Sequence, residues 1–180
     1  MKLDNKLSFI SDGDVFLFRA LTEEDVTLSY VDALRKQRAF LDNNPSGIDL
    51  QWQRNYVLSI RESKRDTICG LFVNSKLIGT SGIQNIKQGE WATLGMFVLS
   101  PEDRGKGYGR LLVWASCYFI NHLFSVDNFK AGVKKSNDAS WRSFKSCGFQ
   151  IVDERQDAYT LALLFMELKT PEFIKDLKVV

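Results

Sequence analysis

Apolar and polar residues change their spacing along the chain, and each change of period predicts a new element. In the first quarter, the short apolar run in "DVFLFRA" predicts a strand at Val15–Arg19. Thr22 followed by Asp25 reads as a helix cap with acidic residues in the first turn. We therefore expect a helix after Thr22 that continues to about Arg38.

The second quarter has the pattern of a helix followed by strands. Trp52, Tyr56 and Ile60 stand four residues apart, which places them on one helical face. "TICGLFVNSKLIGTSGIQNI" contains two β-rich runs joined at Asn74 and Ser75, a pattern typical of a short hairpin. "WATLGMFVL" predicts one more strand.

The second half begins with "RGKGYGR", residues 104–110, which leads directly into the apolar run "LLVWASCYFI". This run predicts a helix to about Asn121, with a buried stripe at Leu112, Ala115, Phe119 and Leu123. A strand ("FKAGVK"), a helix ending at Gly148 and a strand ("AYTLALLFMEL") follow. The order predicts a mixed α/β (α+β) fold whose sheet is antiparallel early and partly parallel later. We expect one domain over residues 1–180, with 1–12 and 170–180 peripheral.

Composition narrows the class of protein. The chain has 180 residues, of which 44% are hydrophobic and 26% charged, as in a globular domain with one core. Its net charge of +2 is too small to favour nucleic-acid or membrane binding. No stretch reaches the length of a membrane span, and "MKLDNKLSFISDGD" lacks the apolar run of a secretory signal. We expect a cytoplasmic protein.

The cysteines do not indicate a metal or redox site. Cys69, Cys117 and Cys147 are odd in number and lack metal-type spacing, which suits reduced, buried thiols in a cytosol. A nucleophilic cysteine would need a histidine partner, and His122 is the one histidine in the chain. Its place near a helix end favours an interaction with the helix dipole.

The loop at residues 104–110 places three glycines and three cations before a helix. Helix-start N–H groups lack partners, and glycine lets a phosphate approach them closely, so the loop has the properties of a pyrophosphate cradle. A glycine-rich turn with solvated cations is the alternative. The spacing fits neither a P-loop nor the dinucleotide fingerprint, which disfavours ATP or a dinucleotide as ligand.

A third pattern fits at every defined position. Arg104-Gly105-Lys106-Gly107-Tyr108-Gly109, between a strand and an apolar helix, resembles the Arg/Gln-x-x-Gly-x-Gly/Ala motif of the GNAT N-acetyltransferases. "LGMFVLSPEDRGKGYG" and "NDASWRSFKSCGF" are similar to the branch containing ribosomal-protein N-terminal and amino-sugar acetyltransferases. "FLFRALTEEDV" resembles the family's first strand and helix, so the resemblance covers Val15 to about Leu168.

The resemblance implies a fold and a cofactor. It implies a mostly antiparallel sheet of about six to seven strands with a splayed central pair, flanked by about four helices. It implies acetyl-CoA as co-substrate and no metal. It also implies that the strand before the glycine loop binds pantetheine and that the loop binds the pyrophosphate. Asn137 would bond the cofactor arm or simply cap a helix. The cofactor-binding residues would be Met96, Phe97, Val98, Arg104, Gly105, Lys106, Gly107, Tyr108, Gly109, Arg110 and Asn137.

The catalytic residues depart from the family pattern. Many relatives carry a tyrosine as general acid where this chain has Phe144, and an acid where it has Thr93. Ser140 is the candidate acid, with a polar first-turn residue as the alternative. Glu90 is the candidate base, acting through water or Thr93, with a solvated strand-end glutamate as the alternative. Backbone N–H groups near Phe97 and Val98 would stabilise the oxyanion.

The resemblance therefore implies transfer of an acetyl group from acetyl-CoA to a primary amine, by direct attack in a ternary complex. The acceptor is expected to be a small molecule such as an amino sugar, an antibiotic or a polyamine-like amine. A protein N-terminus, or an acyl-CoA-binding module with little turnover, are the alternatives. The acceptor wall would include Trp52, Tyr56, Trp141 and "RKQRAFLDNNPSGID". The protein would be a monomer or homodimer.

Overall fold

The structure, a computed structural model, describes residues 3–37 and 49–180. Within these residues one sheet of nine strands carries four α-helices. The elements are β1 (Lys6–Ser11), β2 (Asp14–Ala20), α1 (Leu28–Lys36), α2 (Leu50–Glu62), β3 (Thr67–Val73), β4 (Lys76–Gln84), β5 (Trp91–Val98), α3 (Tyr108–Phe124), β6 (Asn128–Lys134), α4 (Asp138–Ser146), β7 (Gln150–Glu154), β8 (Ala158–Leu164) and β9 (Lys175–Val179).

The strand order across the sheet is β7-β8-β6-β5-β4-β3-β2-β1-β9. All neighbouring pairs are antiparallel except β5 and β6, which run parallel. The prediction of an early antiparallel meander and a later parallel pair is therefore confirmed. The β3–β4 hairpin turns at Asn74 and Ser75, whose φ angles of 47° and 70° suit a tight two-residue turn.

The sheet has nine strands, which corrects the expectation of about six to seven. The difference arises because β1, β7 and β9 were not predicted. Leu7 and Phe9 do alternate inward along β1, and the Asp12-Gly13 turn to β2 has the positive φ angles of a hairpin. By contrast, every residue of β7 is exposed, so no periodic pattern marks it. Strand β9 pairs with β1 at the opposite edge of the sheet.

The first helix begins later than predicted. Thr22 and Asp25 do form a capping box, but it caps only a short 3-10 turn, and α1 begins at Leu28 with Thr27 as its cap. The physical reason is that the Asp25 carboxylate also accepts two hydrogen bonds from Arg19, at 2.7 and 2.8 Å. That pair anchors the turn to β2. The end predicted at Arg38 lies outside the described residues.

Helices cover both faces of the sheet. On one face α3 lies across β4 and β5, and its Leu112, Trp114, Ala115 and Phe119 are fully buried. On the other face α1 and α2 pack over a second, smaller cluster that includes Phe72. Within residues 3–37 and 49–180, no helix combines the length and apolar character needed to cross a bilayer.

Candidate active site

The central parallel pair of strands separates part-way along. Strands β5 and β6 pair from Trp91 with Asn128 to Leu94 with Ala131, and the pairing then stops. Both strands continue, β5 to Val98 and β6 to Lys134. A V-shaped gap therefore opens in the middle of the sheet, which confirms the expected splayed pair.

A row of three glycines crosses the sheet where the gap begins. Gly82 on β4 pairs with Gly95 on β5, and Gly132 on β6 directly follows the last paired residue, Ala131. A Cβ atom added at any of the three would meet no atom within 4 Å. The row forms a trough without side chains. Its signal in the sequence, glycine inside each of three β-rich runs, indicates close approach of a ligand or another backbone.

The trough is the floor of a cavity of about 600 Å³. One end lies between the splayed strands, beside Met96, Val133 and the start of α4. The other end runs over the sheet face beneath α1 and α2. One continuous space thus joins the gap in the sheet to the opposite helices. Its wall on that side includes Tyr30, Leu34, Trp52, Gln53, Tyr56 and Ile60.

The backbone of β5 presents alternate residues to the gap. The N–H of Leu99 donates to the carbonyl of Ile78 on β4, at 2.9 Å. Because successive strand residues point their backbone groups to opposite edges, Phe97 also faces β4 while Met96 and Val98 face the gap. The Val98 carbonyl accepts a hydrogen bond from the Gln37 amide at 3.2 Å. Of these residues, Met96 and Phe97 line the cavity.

The glycine loop turns sharply into α3. Gly105 and Gly107 have φ angles of 78° and 83°, a conformation that glycine adopts without cost. Gly107 is the N-cap of α3 and has no side chain to cap it. The first-turn N–H groups, at Tyr108, Gly109 and Arg110, therefore point out of the helix end with the positive dipole. This arrangement can bind an anion.

A buried carboxylate, which sequence reasoning missed, organises the cations of this loop. Asp103 is 5% exposed and accepts hydrogen bonds from Lys76 at 3.2 Å and from Lys106 at 3.1 Å. Burial alone would raise the pKa of Asp103. The hydrogen bonds and charges of Lys106 and Lys76 outweigh it and hold the pKa below its ordinary value of 3.8. Arg104 and Lys106 remain exposed beside the loop.

Not every residue of the loop faces a ligand. A Cβ at Gly109 would lie 2.5 Å from the Ser143 hydroxyl, so this glycine allows α3 and α4 to approach closely. Tyr108 is half-buried, with its ring 6.2 Å from that of Phe16. The Arg110 Nε is buried and has no hydrogen-bond partner among the described residues.

The start of α4 meets the cavity. The Asn137 side chain accepts the N–H of Ser140 at 3.2 Å, so Asn137 is the N-cap of α4, and both residues also line the cavity. Phe144, one turn further on, is buried against Phe149 with ring centroids 5.0 Å apart, and it too borders the cavity.

Glu90 does not reach the cavity. It is exposed in the turn before β5 and pairs with Lys87 at 3.3 Å. Thr93 does line the cavity, and so does Asp66, a carboxylate that sequence reasoning missed. Asp66 is the one acidic residue on the cavity wall among the described residues. No local pattern in the sequence indicates Asp66, because its position at the cavity depends on strand register.

The remaining candidates divide between site and core. Trp52 and Tyr56 line the cavity with stacked rings 5.5 Å apart, whereas Trp141 packs beside Tyr159 outside it. All three cysteines are buried, and burial raises the pKa of Cys69 to about 12 and that of Cys147 to about 11, so these thiols stay protonated. Of the acceptor wall expected at residues 35–49, residues 38–48 lie outside the described part.

Comparison with known proteins identifies a family. Residues 16–150 match the acetyltransferase (GNAT) domain. Among curated proteins no sequence matches the chain. The fold is similar to that of Mycobacterium smegmatis RimJ in complex with CoA-disulfide, at 14% identity and a TM-score of 0.75, over 94% of this chain and 93% of that one.

Two other solved structures share the fold. The ribosomal-protein-S5-alanine acetyltransferase of Vibrio fischeri is 16% identical, with a TM-score of 0.71 over 86% of this chain and 96% of that one. The N-acetyltransferase PseH of Campylobacter jejuni, in complex with acetyl coenzyme A, is 20% identical, with a TM-score of 0.63 over 82% and 98%.

Proposed function

The chain belongs to the GNAT family of acetyltransferases, and we propose that it transfers an acetyl group from acetyl-CoA directly to the primary amine of a small molecule. The observation that supports this is the continuous cavity. It joins the gap between β5 and β6 to the space under α1 and α2 across a floor of glycines. Two substrates can enter from opposite ends and meet there. The volume of about 600 Å³ is typical of a small-molecule site.

The cofactor would occupy the end at the gap. The N–H groups at the start of α3 and the charges of Arg104 and Lys106 would bind the pyrophosphate. The backbone groups of Met96 and Val98 that face the gap would pair with the pantetheine arm. Asn137, whose oxygen already caps α4, can still donate from its amide nitrogen to the same arm.

Chemistry at the trough begins with the amine. An aliphatic amine is mostly protonated at neutral pH, so a base or water must remove a proton before it attacks the thioester. Glu90 lies away from the cavity. The hydroxyls of Thr80 and Thr93 and the amide of Gln84 line it and can order water that carries the proton to solvent. Glu90 would serve only as the final proton acceptor at the far end of such a chain of water molecules.

The attacked carbonyl becomes an oxyanion, and the N–H of Met96 would stabilise it, because Met96 both faces the gap and lines the cavity whereas Val98 does not line it. Phe97, by contrast, directs its backbone toward β4. The leaving thiolate takes a proton from an acid, and Ser140 is the hydroxyl at this end of the cavity. Phe144 lies one turn along the same helix and has no proton to donate. Holding both reactants in the trough supplies a large part of the acceleration.

Thiol release tests the reaction and the role of Ser140. Free CoA thiol should appear when acetyl-CoA and a reactive amine are both present, and not with either alone. Ser140→Ala should lower kcat by about a hundredfold if Ser140 protonates the thiolate. Ser143→Ala is the matched control, because its hydroxyl bonds the Ala139 carbonyl of its own helix at 3.0 Å and does not line the cavity.

Three results would contradict the proposed reaction or its acceptor. Equal losses in both serine variants would mean that α4 packing, and not a proton, is affected. Turnover with peptide N-termini but with no small amine would shift the acceptor class to proteins. Tight acetyl-CoA binding without thiol release for any amine would leave an acyl-CoA-binding module.

A further inference from the structure

Asp66 is a carboxylate on the cavity wall whose charge is not neutralised. Its Oδ1 accepts the N–H of Asn85 and its Oδ2 the hydroxyl of Ser63, each at 2.9 Å. Each carboxylate oxygen can accept two hydrogen bonds, so capacity remains on both. Among the described residues no ion pair involves Asp66. A half-buried negative charge therefore faces a cavity built for an amine.

Two aromatic rings line the same cavity as this charge. Trp52 and Tyr56 stack with an interplanar angle of 9° and line the same end of the cavity. Burial, and after it the negative charge of Asp66, raise the pKa of the Tyr56 hydroxyl. A carboxylate that shares one cavity with the rings of Trp52 and Tyr56 suits an alkylammonium ion, whose charge pairs with the oxygen and whose methylenes contact the rings.

The strand register separates Asp66 from the trough. Thr67 pairs with Ile83 and Gln84 with Thr93, so Asp66 falls in the row of Gln84 and Thr93, two strands from β5. Gly95 lies two residues further along β5. Strand and residue spacings make these offsets about 10 Å across the sheet and about 7 Å along the strand, which gives a diagonal distance of about 12 Å. An amine that reacts over Gly95 is thus too far away for Asp66 to be its base.

We propose that Asp66 binds a second ammonium group of the acceptor, so that the preferred substrate is a linear diamine or polyamine. This inference rests on the proposed function. The second cation would lie between Asp66 and the rings of Trp52 and Tyr56, while the primary amine reaches the glycine trough. The charge of Asp66 would thus orient the acceptor in one direction, with its second cation away from the gap between β5 and β6.

A matched pair of amines tests the proposal. Cadaverine and pentylamine have the same chain length and differ by one terminal amine. Wild-type protein should acetylate cadaverine with a kcat/KM at least about tenfold higher, through a lower KM. Asp66→Asn should remove this preference by raising the KM for cadaverine alone. Asparagine keeps an oxygen for the Asn85 N–H, so the melting temperature should stay unchanged.

Controls separate charge from structure and this proposal from the reaction. Glu62→Gln removes an exposed carboxylate at the end of α2 and should leave the preference intact. Binding of both amines to the CoA-loaded protein, measured by calorimetry, does not depend on turnover. A cadaverine preference in binding that Asp66→Asn abolishes would support the site even if no thiol were released. Equal kcat/KM for the two amines, or equal losses for both in Asp66→Asn, would overturn the proposal.

Discussion

Gly95→Val is expected to lower kcat/KM for acetyl transfer by about a hundredfold or more without unfolding the protein. Gly95 has an ordinary strand conformation, and a Cβ there would meet no protein atom within 4 Å. The isopropyl group would instead occupy the trough where thioester and amine must approach to about 3–3.5 Å. Steady-state kinetics and a thermal melt on the same preparation measure the two effects.

Two companion variants make this result interpretable. Gly95→Ala fills less of the trough and should cause a smaller loss. Thr160→Val places a valine on β8 in the same row, opposite Gly132, but outside the cavity, and it should retain activity. Full activity in Gly95→Val would show that the reactants do not meet over the glycine row.

Gly79→Ala is expected to destabilise the protein by about 1–3 kcal/mol. A Cβ at this position would lie 2.6 Å from the Phe97 carbonyl oxygen and 2.7 Å from the Leu112 side chain. The first contact is with backbone, so β5 must shift at the edge of the gap to relieve it. Because α3 packs on the same point, the helix must shift too. Denaturant unfolding should show a lower midpoint with an unchanged slope.

Gly82→Ala is the matched control for stability, since it lies three residues along the same strand and its Cβ would point into open space. Its unfolding free energy should be close to that of the wild type, although its activity should fall because it borders the trough. If the two alanine variants unfold at the same midpoint, the close packing of β4, β5 and α3 is not what requires glycine at position 79.

The parts of the fold that could be predicted from sequence are those with local signals. The glycine loop, the apolar helix after it and the Asn74-Ser75 hairpin each depend on a short run of residues, and each has the predicted place. Strand β1 also had a local signal in its Asp12-Gly13 turn. Strand β7 had none, because an exposed edge strand buries neither face and leaves no periodicity.

The site was predictable only where one segment forms it. Asn137 and Ser140 fall on the cavity because a single helix start carries both. Formation of the glycine trough depends on the register of three strands. The position of Asp66 at the cavity depends on the pairing of β3 with β4 and on where α2 lies. Glu90 shows the opposite case, since adjacency in sequence to the β5 strand did not bring its side chain to the cavity. Long-range register is absent from local patterns.

Binding of acetyl-CoA to the loop and to the gap between β5 and β6 can be tested by a thermal-shift comparison of acetyl-CoA, CoA, ATP and NADPH. At a hundred times its Kd, a ligand should raise the melting temperature by about 5 to 10 °C. We expect this shift for acetyl-CoA and CoA alone. It should be weakened when Arg104→Ala and Lys106→Ala are combined and retained in Lys178→Ala, on the far edge strand. If neither CoA ligand shifts the melting temperature, the loop is not a CoA site but a turn with solvated cations.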